Sequence, residues 1–313
     1  MTDLTNPIYN DDDAARAHLE AIRWPDGVTC PHCGGVEGIH KLEGKKHRPG
    51  LWYCRACRGQ FSVTVGTVFE RSHVALHKWV LATHLMAASK KGVSAHQLHR
   101  MLGVTYKTAW FMAHRIREAM KDNDPGPMGG KGSVIEADET FLGRNNYEFK
   151  NDVGWRMKRG YQSKAKVLTL VDRETGKARS IKIANLKAKT VREVLVTNVD
   201  RNSVLMTDEG YHYETVGKEF KRHFTVEHKK REYAKGFVTT NTVEGFFSIF
   251  KRGMKGIYQH CGEQHLPRYL VEFDFRYSNR VALGVNDDAR AVRVLKGIEG
   301  KRLTYRRTNK AAA

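Results

Sequence analysis

The sequence is poor in the features that mark membrane or secreted proteins. No run of about 18 apolar residues occurs, the length a bilayer-spanning helix needs. The first residues, Met1-Thr2-Asp3-Leu4-Thr5-Asn6-Pro7, carry neither the basic n-region nor the apolar h-region of a signal peptide. Cysteine is scarce, with five in 313 residues, and four of the five fall in two tight pairs, which suits metal ligation in a reducing compartment better than a disulfide framework. These features predict an intracellular, cytoplasmic protein. Acid is also in deficit: 34 Asp and Glu face 54 Lys and Arg, a net charge of +20. That excess says nothing about fold. It makes a polyanion the default partner, and no basic amphipathic anchor is present to favour a membrane surface instead.

What is present changes character along the chain. Residues 1–28 turn from acidic (Asp11, Asp12, Asp13) to helical (Ala14 to Ile22), and the turn Trp24-Pro25-Asp26-Gly27 ends that helix. Residues 29–70 hold the cysteine pairs, and 71–121 read as helical. The Gly- and Pro-rich stretch 122–132 (DNDPGPMGGKG) reads as a linker. From 133 to 283 short β runs alternate with helices, and 284–313 is a basic C-terminal tail, its segment Lys301 to Lys310 holding five basic residues and no acid. The fold class expected is multidomain α+β.

Cys30-Pro31-His32-Cys33 and Cys54-Arg55-Ala56-Cys57 give C-x2-C twice, separated by 20 residues. Thiolates two residues apart in a tight turn converge on one ion, and two such turns complete a tetrahedral zinc site. Cys30, Cys33, Cys54 and Cys57 are therefore expected to hold one structural Zn2+ in a small zinc ribbon, with His32 exposed and Cys261 an ordinary half-buried thiol. Further on, Ser94, the apolar stripe Leu98, Met101 and Leu102, then Gly103 and Thr105 have the cadence of a helix-turn-helix. The N-terminal residues of its second helix, Thr105, Tyr106, Lys107 and Thr108, would then read DNA. Lys107, His114, Arg115 and Arg117 are expected to make a basic face beside them.

Two aspartates each end an apolar, strand-like run: Val134-Ile135-Glu136-Ala137-Asp138 and Ser203-Val204-Leu205-Met206-Thr207-Asp208. Alternation puts Glu136, a possible accessory acid, on the face of Asp138, and Glu139 on the other. Between the two runs come a hairpin (Lys166 to Asp172, the turn Arg173-Glu174-Thr175-Gly176, Ala178 to Ala184) and a helix, Lys187 to Val196. Three strands, a helix and a strand predict a mixed sheet with helices packed on it. A further helix opens at Asn241-Thr242-Val243-Glu244. Glu244 reads either as a capping-box partner bonding back to the Asn241 amide or as a third ligand with Asp138 and Asp208, and the two aspartates favour the ligand. Lys251 lies two turns further along the same face, where its ammonium can hold a phosphate, and Arg252 adjoins it. Three carboxylates on rigid elements can hold two Mg2+ or Mn2+ ions, and two such ions can drive in-line attack on a phosphodiester. Asp172, Glu209, Glu272 and Asp274 are expected to have surface roles.

At these residues the chain resembles the IS1595 family of insertion-sequence transposases, the ISXO2-like group. The resemblance rests on WPDGVTCPHCG, WYCRACRGQFSVTVGTVFERS, GVSAHQLHRMLGVTYKTAWFMAHRIREAM, EADETFLGR, VLMTDEGYHY, NTVEGFFSIFKRGMKGIYQH and HLPRYLVEFDFRYSNR, in that order from Trp24 to Arg280. It implies a zinc ribbon, a helix-turn-helix and an RNase H-like catalytic domain of the DDE type, with Asp138, Asp208 and Glu244 as the triad and Lys251 as its basic neighbour. It also makes Asn241 a rival for the third position. The implied activity is DNA strand cleavage and transfer. The implied partners are terminal inverted repeats and target DNA, met by a homodimer or a larger synaptic complex in the bacterial cytoplasm, at the nucleoid. The alternative is a non-catalytic DNA-binding regulator built on the same reader modules. Arg144 to Lys164 departs from the family pattern by being longer and less rich in Gly and Lys.

Overall fold

The computed structural model of the protein describes residues 3–44, 46–123, 125–143, 147–150, 154–157, 164–226 and 234–304. They fall into two compact units, 1–122 with 284–313, and 123–283.

The first unit opens with α1 (Asp12–Arg23), started by the Asp11 carboxylate accepting from the Ala14 amide. An antiparallel three-stranded sheet follows: β1 (Ile39–Leu42), β2 (Leu51–Cys54) and β3 (Gln60–Phe61). Trp24 packs edge-on against Trp52 and Phe61 beneath it. Three helices come next, α2 (Leu76–Ala88), α3 (Ala95–Leu102) and α4 (Tyr106–Met120). The signals read from the sequence act here as capping chemistry: Ser94 Oγ accepts from Gln97 N, Thr105 Oγ1 accepts from Thr108 N, and Gly103 closes α3 at φ +59°. Met101 departs from its expected place in the stripe and is exposed.

The second unit is built on a five-stranded sheet. Its first strand is β4 (Val134–Leu142). A small hairpin, β5 (Tyr147–Lys150) and β6 (Gly154–Met157), lies in the long segment 144–164, the rest of which falls outside the described residues apart from Lys164. Then come β7 (Ala165–Asp172), β8 (Ala178–Ile183), α5 (Ala188–Asn198), β9 (Val204–Asp208), α6 (Tyr211–Gly217) and β10 (Arg222–Val226). The order across the sheet is β10-β9-β4-β7-β8; the β4-β7-β8 part is antiparallel, and β9 and β10 run parallel to β4. A short pair, β11 (Ala234–Lys235) and β12 (Val238–Thr239), leads into α7 (Asn241–Gly253), and α8 (Leu266–Ser278) follows. Alternation along the strands feeds two cores. Ile135, Ala137, Leu168, Leu170 and Leu205 meet α5 and α6 on one face. Val167 and Val171 meet α7 and α8 on the other, where Phe246, Phe247 and Phe250 are core residues as expected.

The segments read as linker and tail are docked where they are described. In the stretch read as a linker, Met128 N donates to Asn198 O and Met128 is buried. In the expected tail, α9 (Asp287–Lys296) packs on α2, and Arg290 donates to the Ala87 carbonyl at 3.0 Å. Lys301 is nearly buried, its ammonium donating to the Ala119 carbonyl at 3.1 Å. Both segments place backbone or basic groups where open helix and strand carbonyls need donors, which composition does not reveal. Residues 305–313 lie outside the described residues.

Candidate active site

Strand register brings the two aspartates together. β4 pairs in parallel with β9 through Val134↔Val204, Ile135↔Leu205 and Glu136↔Met206. Asp138 and Asp208 each lie two residues beyond the last paired residues, Glu136 and Met206, so alternation puts both side chains on one face of the sheet. It is the α7 face, because Asp138 pairs with Thr169, which alternates with the α7-packed Val167 and Val171. Asp138 Oδ1 accepts from the Glu139 amide at 2.7 Å, and Asp208 Oδ1 accepts from the Gly210 amide at 2.9 Å. A Cβ at Gly210 would lie 2.7 Å from His212 Cε1 and 3.0 Å from Asp208 Oδ1, so a larger residue there would displace the His212 ring or the Asp208 carboxylate. Glu139 points to the opposite face, as alternation predicts, and accepts from Tyr213 Oη at 2.7 Å.

Asp138, Asp208 and Glu244 do not form a group of donor atoms within 4.8 Å of one another, and what links them is charge. Burial, then the charges of Glu139 and Asp208, with a smaller part from Glu244, push the Asp138 carboxyl up to about 7. Glu244 is exposed on the first turn of α7. It is not in a capping box with Asn241. Thr240 is the N-cap, Asn241 is already the first helical residue, and Glu244 Oε1 accepts from Thr240 Oγ1 at 3.0 Å. Lys251 and Arg252 are exposed further along α7. The Lys251 ammonium lies 5.7 Å from the Phe247 ring centroid, and Arg252 donates to the Ser248 carbonyl at 3.0 Å.

Sequence reasoning missed the groups that support this face. Glu136 is completely buried and paired with Arg173, Nε to Oε1 at 2.5 Å. It also accepts from Thr242 Oγ1 and Val243 N, both at 2.9 Å. The one available signal was its alternation with Asp138. Three acids expected at the surface have structural work. Asp172 is buried and accepts from the Glu174 and Thr175 amides of the hairpin turn. Glu272 is buried against Tyr258 and Arg276. Asp274 is half-buried and accepts from both the amide and the hydroxyl of Ser180 at 2.7 Å.

The cysteines form a second centre. Among the described residues, Cys30, Cys33, Cys54 and Cys57 are the group of three or more such ligands whose donor atoms lie within 4.8 Å of one another. Sγ–Sγ distances of 3.7 Å, Cys30 to Cys57 and Cys33 to Cys54, match the ~3.8 Å edge of a tetrahedron with Zn–S near 2.3 Å. The two knuckles are built alike: Cys30 N donates to Gly35 O and Cys54 N to Gly59 O, with φ positive at Gly34 (+73°) and Arg58 (+55°). Burial pushes the Cys30 thiol up, but the Cys33 and His32 amides outweigh it and bring it down to about 7, while the Cys33 and Cys57 thiols beside it are pushed up.

The basic face expected on α4 is not there. His114 and Arg117 are buried, and Arg115 is half-buried, its guanidinium donating to the carbonyls of Glu70 and Leu303. Thr105, Tyr106 and Lys107 are exposed at the helix start, Tyr106 stacked on His96 at 4.2 Å, while Thr108 is half-buried.

Comparison with known families fits both centres. Residues 10–60 match the transposase zinc-ribbon domain, and residues 129–278 match the ISXO2-like transposase domain. The chain belongs to the IS1595 family of transposases. An uncharacterized protein in transposable element ISH50 of Halobacterium salinarum (strain ATCC 700922 / JCM 11081 / NRC-1) is 29% identical over 268 residues, 82% of this chain and 88% of that one. A chain from the cryo-EM structure of a simian T-cell lymphotropic virus intasome in complex with PP2A regulatory subunit B56 gamma aligns over 56% of this chain at 15% identity and TM-score 0.29. The alignment spans 63% of that chain, and a likeness of this size carries no argument.

Proposed function

We propose that the protein is an insertion-sequence transposase that cuts DNA ends and joins them to a target at the acidic face of its five-stranded sheet. What supports this reading is the parallel pairing of β4 and β9 through Glu136↔Met206, two residues short of Asp138 and Asp208, on the sheet face that α7 covers. In this reading the second unit is an RNase H-like domain of the DDE type, consistent with its strand order. The ribbon and the helix-turn-helix of α3 and α4 recognise terminal inverted repeats, with Thr105, Tyr106, Lys107 and Thr108 at the DNA. Arg115 serves that surface by holding its helix in place. The protein works as a homodimer or larger synaptic complex in the cytoplasm, at the nucleoid.

The donors suit hard cations: carboxylate oxygens from Asp138, Asp208 and Glu244, with Asp138 under negative-charge repulsion that a bound cation relieves. When bound, two Mg2+ or Mn2+ ions neutralise charge at the attacking and leaving oxygens. The reaction is an in-line displacement at phosphorus. A bond to a water oxygen forms as the bond to the 3′-oxygen breaks, leaving a 3′-hydroxyl and a 5′-phosphate. In joining, that 3′-hydroxyl takes the place of water. Lys251 and Arg252 face the phosphates as cations, and Asn241 offers an amide beside Glu244.

The test is strand transfer with pre-cleaved ends and Mg2+, comparing wild type with Asp208→Asn. Joining by wild type alone supports the reading, and equal joining by both sinks it. End binding without joining by either protein points to the DNA-binding regulator instead, and nicking without joining to a nuclease.

A further inference from the structure

We propose that Glu136 and Arg173 form a positioning clamp that fixes the first turn of α7, and with it Glu244, against the strand bearing Asp138. Its functional meaning rests on the cation-holding reading of the acidic face.

Glu136 sits two residues before Asp138 on β4 and has no exposed surface. Oε1 accepts from Arg173 Nε at 2.5 Å and from Thr242 Oγ1 at 2.9 Å. Oε2 accepts from Val243 N at 2.9 Å. Arg173, at the turn between β7 and β8, uses its other two nitrogens on the segment entering α7: Nη1 donates to Phe237 O at 2.8 Å and Nη2 to Thr239 O at 2.7 Å. Its backbone amide returns to β4, donating to Val134 O at 3.0 Å. One carboxylate and one guanidinium thus tie together β4, the hairpin turn and both sides of the α7 N-terminus.

Local chemistry does not supply this link. The N-cap of α7, Thr240, makes no capping bond to the helix amides, and its hydroxyl donates instead to Glu244. The open amide of Val243 is satisfied from a strand 107 residues earlier. Capping by a buried ion pair is a costly solution where a neighbouring Ser or Asp would serve, because both charges lose water. What the ion pair adds is geometry. The clamped amide belongs to the residue just before Glu244, and the clamping carboxylate lies one strand repeat before Asp138. The bond between them sets the separation of two proposed cation ligands, the task that outer-shell partners perform at metal sites.

The test uses the full chain, with Mn2+ binding by calorimetry, binding of a DNA end, and amide exchange at Val243. Glu136→Gln should speed exchange at Val243 and weaken Mn2+ binding by about tenfold or more, while end binding stays unchanged. Thr242→Val, which removes one hydrogen bond and no charge, should weaken Mn2+ binding by a smaller factor in the same direction. If Glu136→Gln does not fold, Thr242→Val carries the test. Folded variants that bind Mn2+ as wild type does overturn the clamp and leave a purely structural ion pair. Asp208→Asn separates the two readings: if it binds Mn2+ as tightly as wild type, the cation site itself is wrongly placed and the clamp's role falls with it.

Discussion

The cysteine centre and the acidic face proposed to hold cations are assembled in opposite ways. In the ribbon, two local turns of the C-x2-C type hold four sulfurs at tetrahedral spacing, 3.7 Å along two of its edges. The segment 29–70 is small, and its four sulfurs are positioned for an ion whose binding would add to the stability of the fold. On the acidic face, the ligands come from two strands and a helix that the second unit's own cores already hold. There burial first, and then the charges of Glu139 and Asp208, push the Asp138 carboxyl up to about 7. A ligand in the ribbon should therefore stabilise the protein, and a ligand on the acidic face should destabilise it until a cation arrives.

The sharpest break of that contrast is at the ribbon. Cys54→Ser, or chelation of zinc, should unfold it, since structural zinc in small fingers contributes about 10–16 kcal/mol. Trp24 and Trp52, in edge contact at 6.1 Å, would report the loss as a red shift in emission. An unshifted spectrum would mean that the ribbon folds without its ion. Next in size is the third ligand. Glu244→Gln should lower strand transfer by ~100-fold, and Asn241→Ala by less than about tenfold, a difference read directly from joining rates. The reverse order would give the third position to Asn241.

A smaller effect carries the opposite sign from the ribbon. Without divalent ions near pH 8, Asp138→Asn should raise the melting temperature by roughly 2–4 °C, the equivalent of about 1 kcal/mol in a unit of this size. The direction follows from linkage. The Asp138 carboxyl sits near 7 in the folded state, above its ordinary 3.8, so the folded state holds the proton more tightly. Stability is then greatest at low pH and is lost as pH rises from about 4 through 7. Melting curves across that window should show the loss in wild type and a smaller one in Asp138→Asn. Asp274, also pushed up to about 7 by burial, contributes in the same direction in both proteins. Smallest of all is Lys107→Ala, which should lower the salt dependence of end binding by about one unit of slope with little change in stability. Arg115→Ala should instead act through stability, because its guanidinium holds the Glu70 and Leu303 carbonyls.

The same contrast explains what could be read from the sequence. The ribbon was legible because its ligands repeat at short spacing, and the α3–α4 turn because Ser94, Gly103 and Thr105 act on their own neighbours. The strands carrying Asp138 and Asp208 were legible as apolar runs, although β4 runs on past Asp138 to Leu142, and their parity placed Glu139 on the far face. What escaped was polar pairing across the fold. Glu136 caps a helix 107 residues away, so Asn241 looked like the cap that it is not. Asp172 folds back onto turn amides, Glu272 meets Arg276 inside the unit, and His114 and Arg117 are buried in what read as a basic face. α9 escaped because the whole segment 284–313 was read as one basic tail, although Ala291, Val294 and Leu295 give this helix a buried side. The deciding partner lies 107 residues away for Glu136 but only two to four residues away for Asp172 and Glu272, so residue type alone did not reveal it at either range.

The central claim is that Asp138 and Asp208 share cations on the α7 face. Anomalous diffraction from crystals of the protein with a DNA end and Mn2+ tests it most directly. The account predicts manganese peaks bridging the Asp138 and Asp208 carboxylates, with Glu244 adjoining. Manganese bound elsewhere, with no peak between those two aspartates, would contradict it.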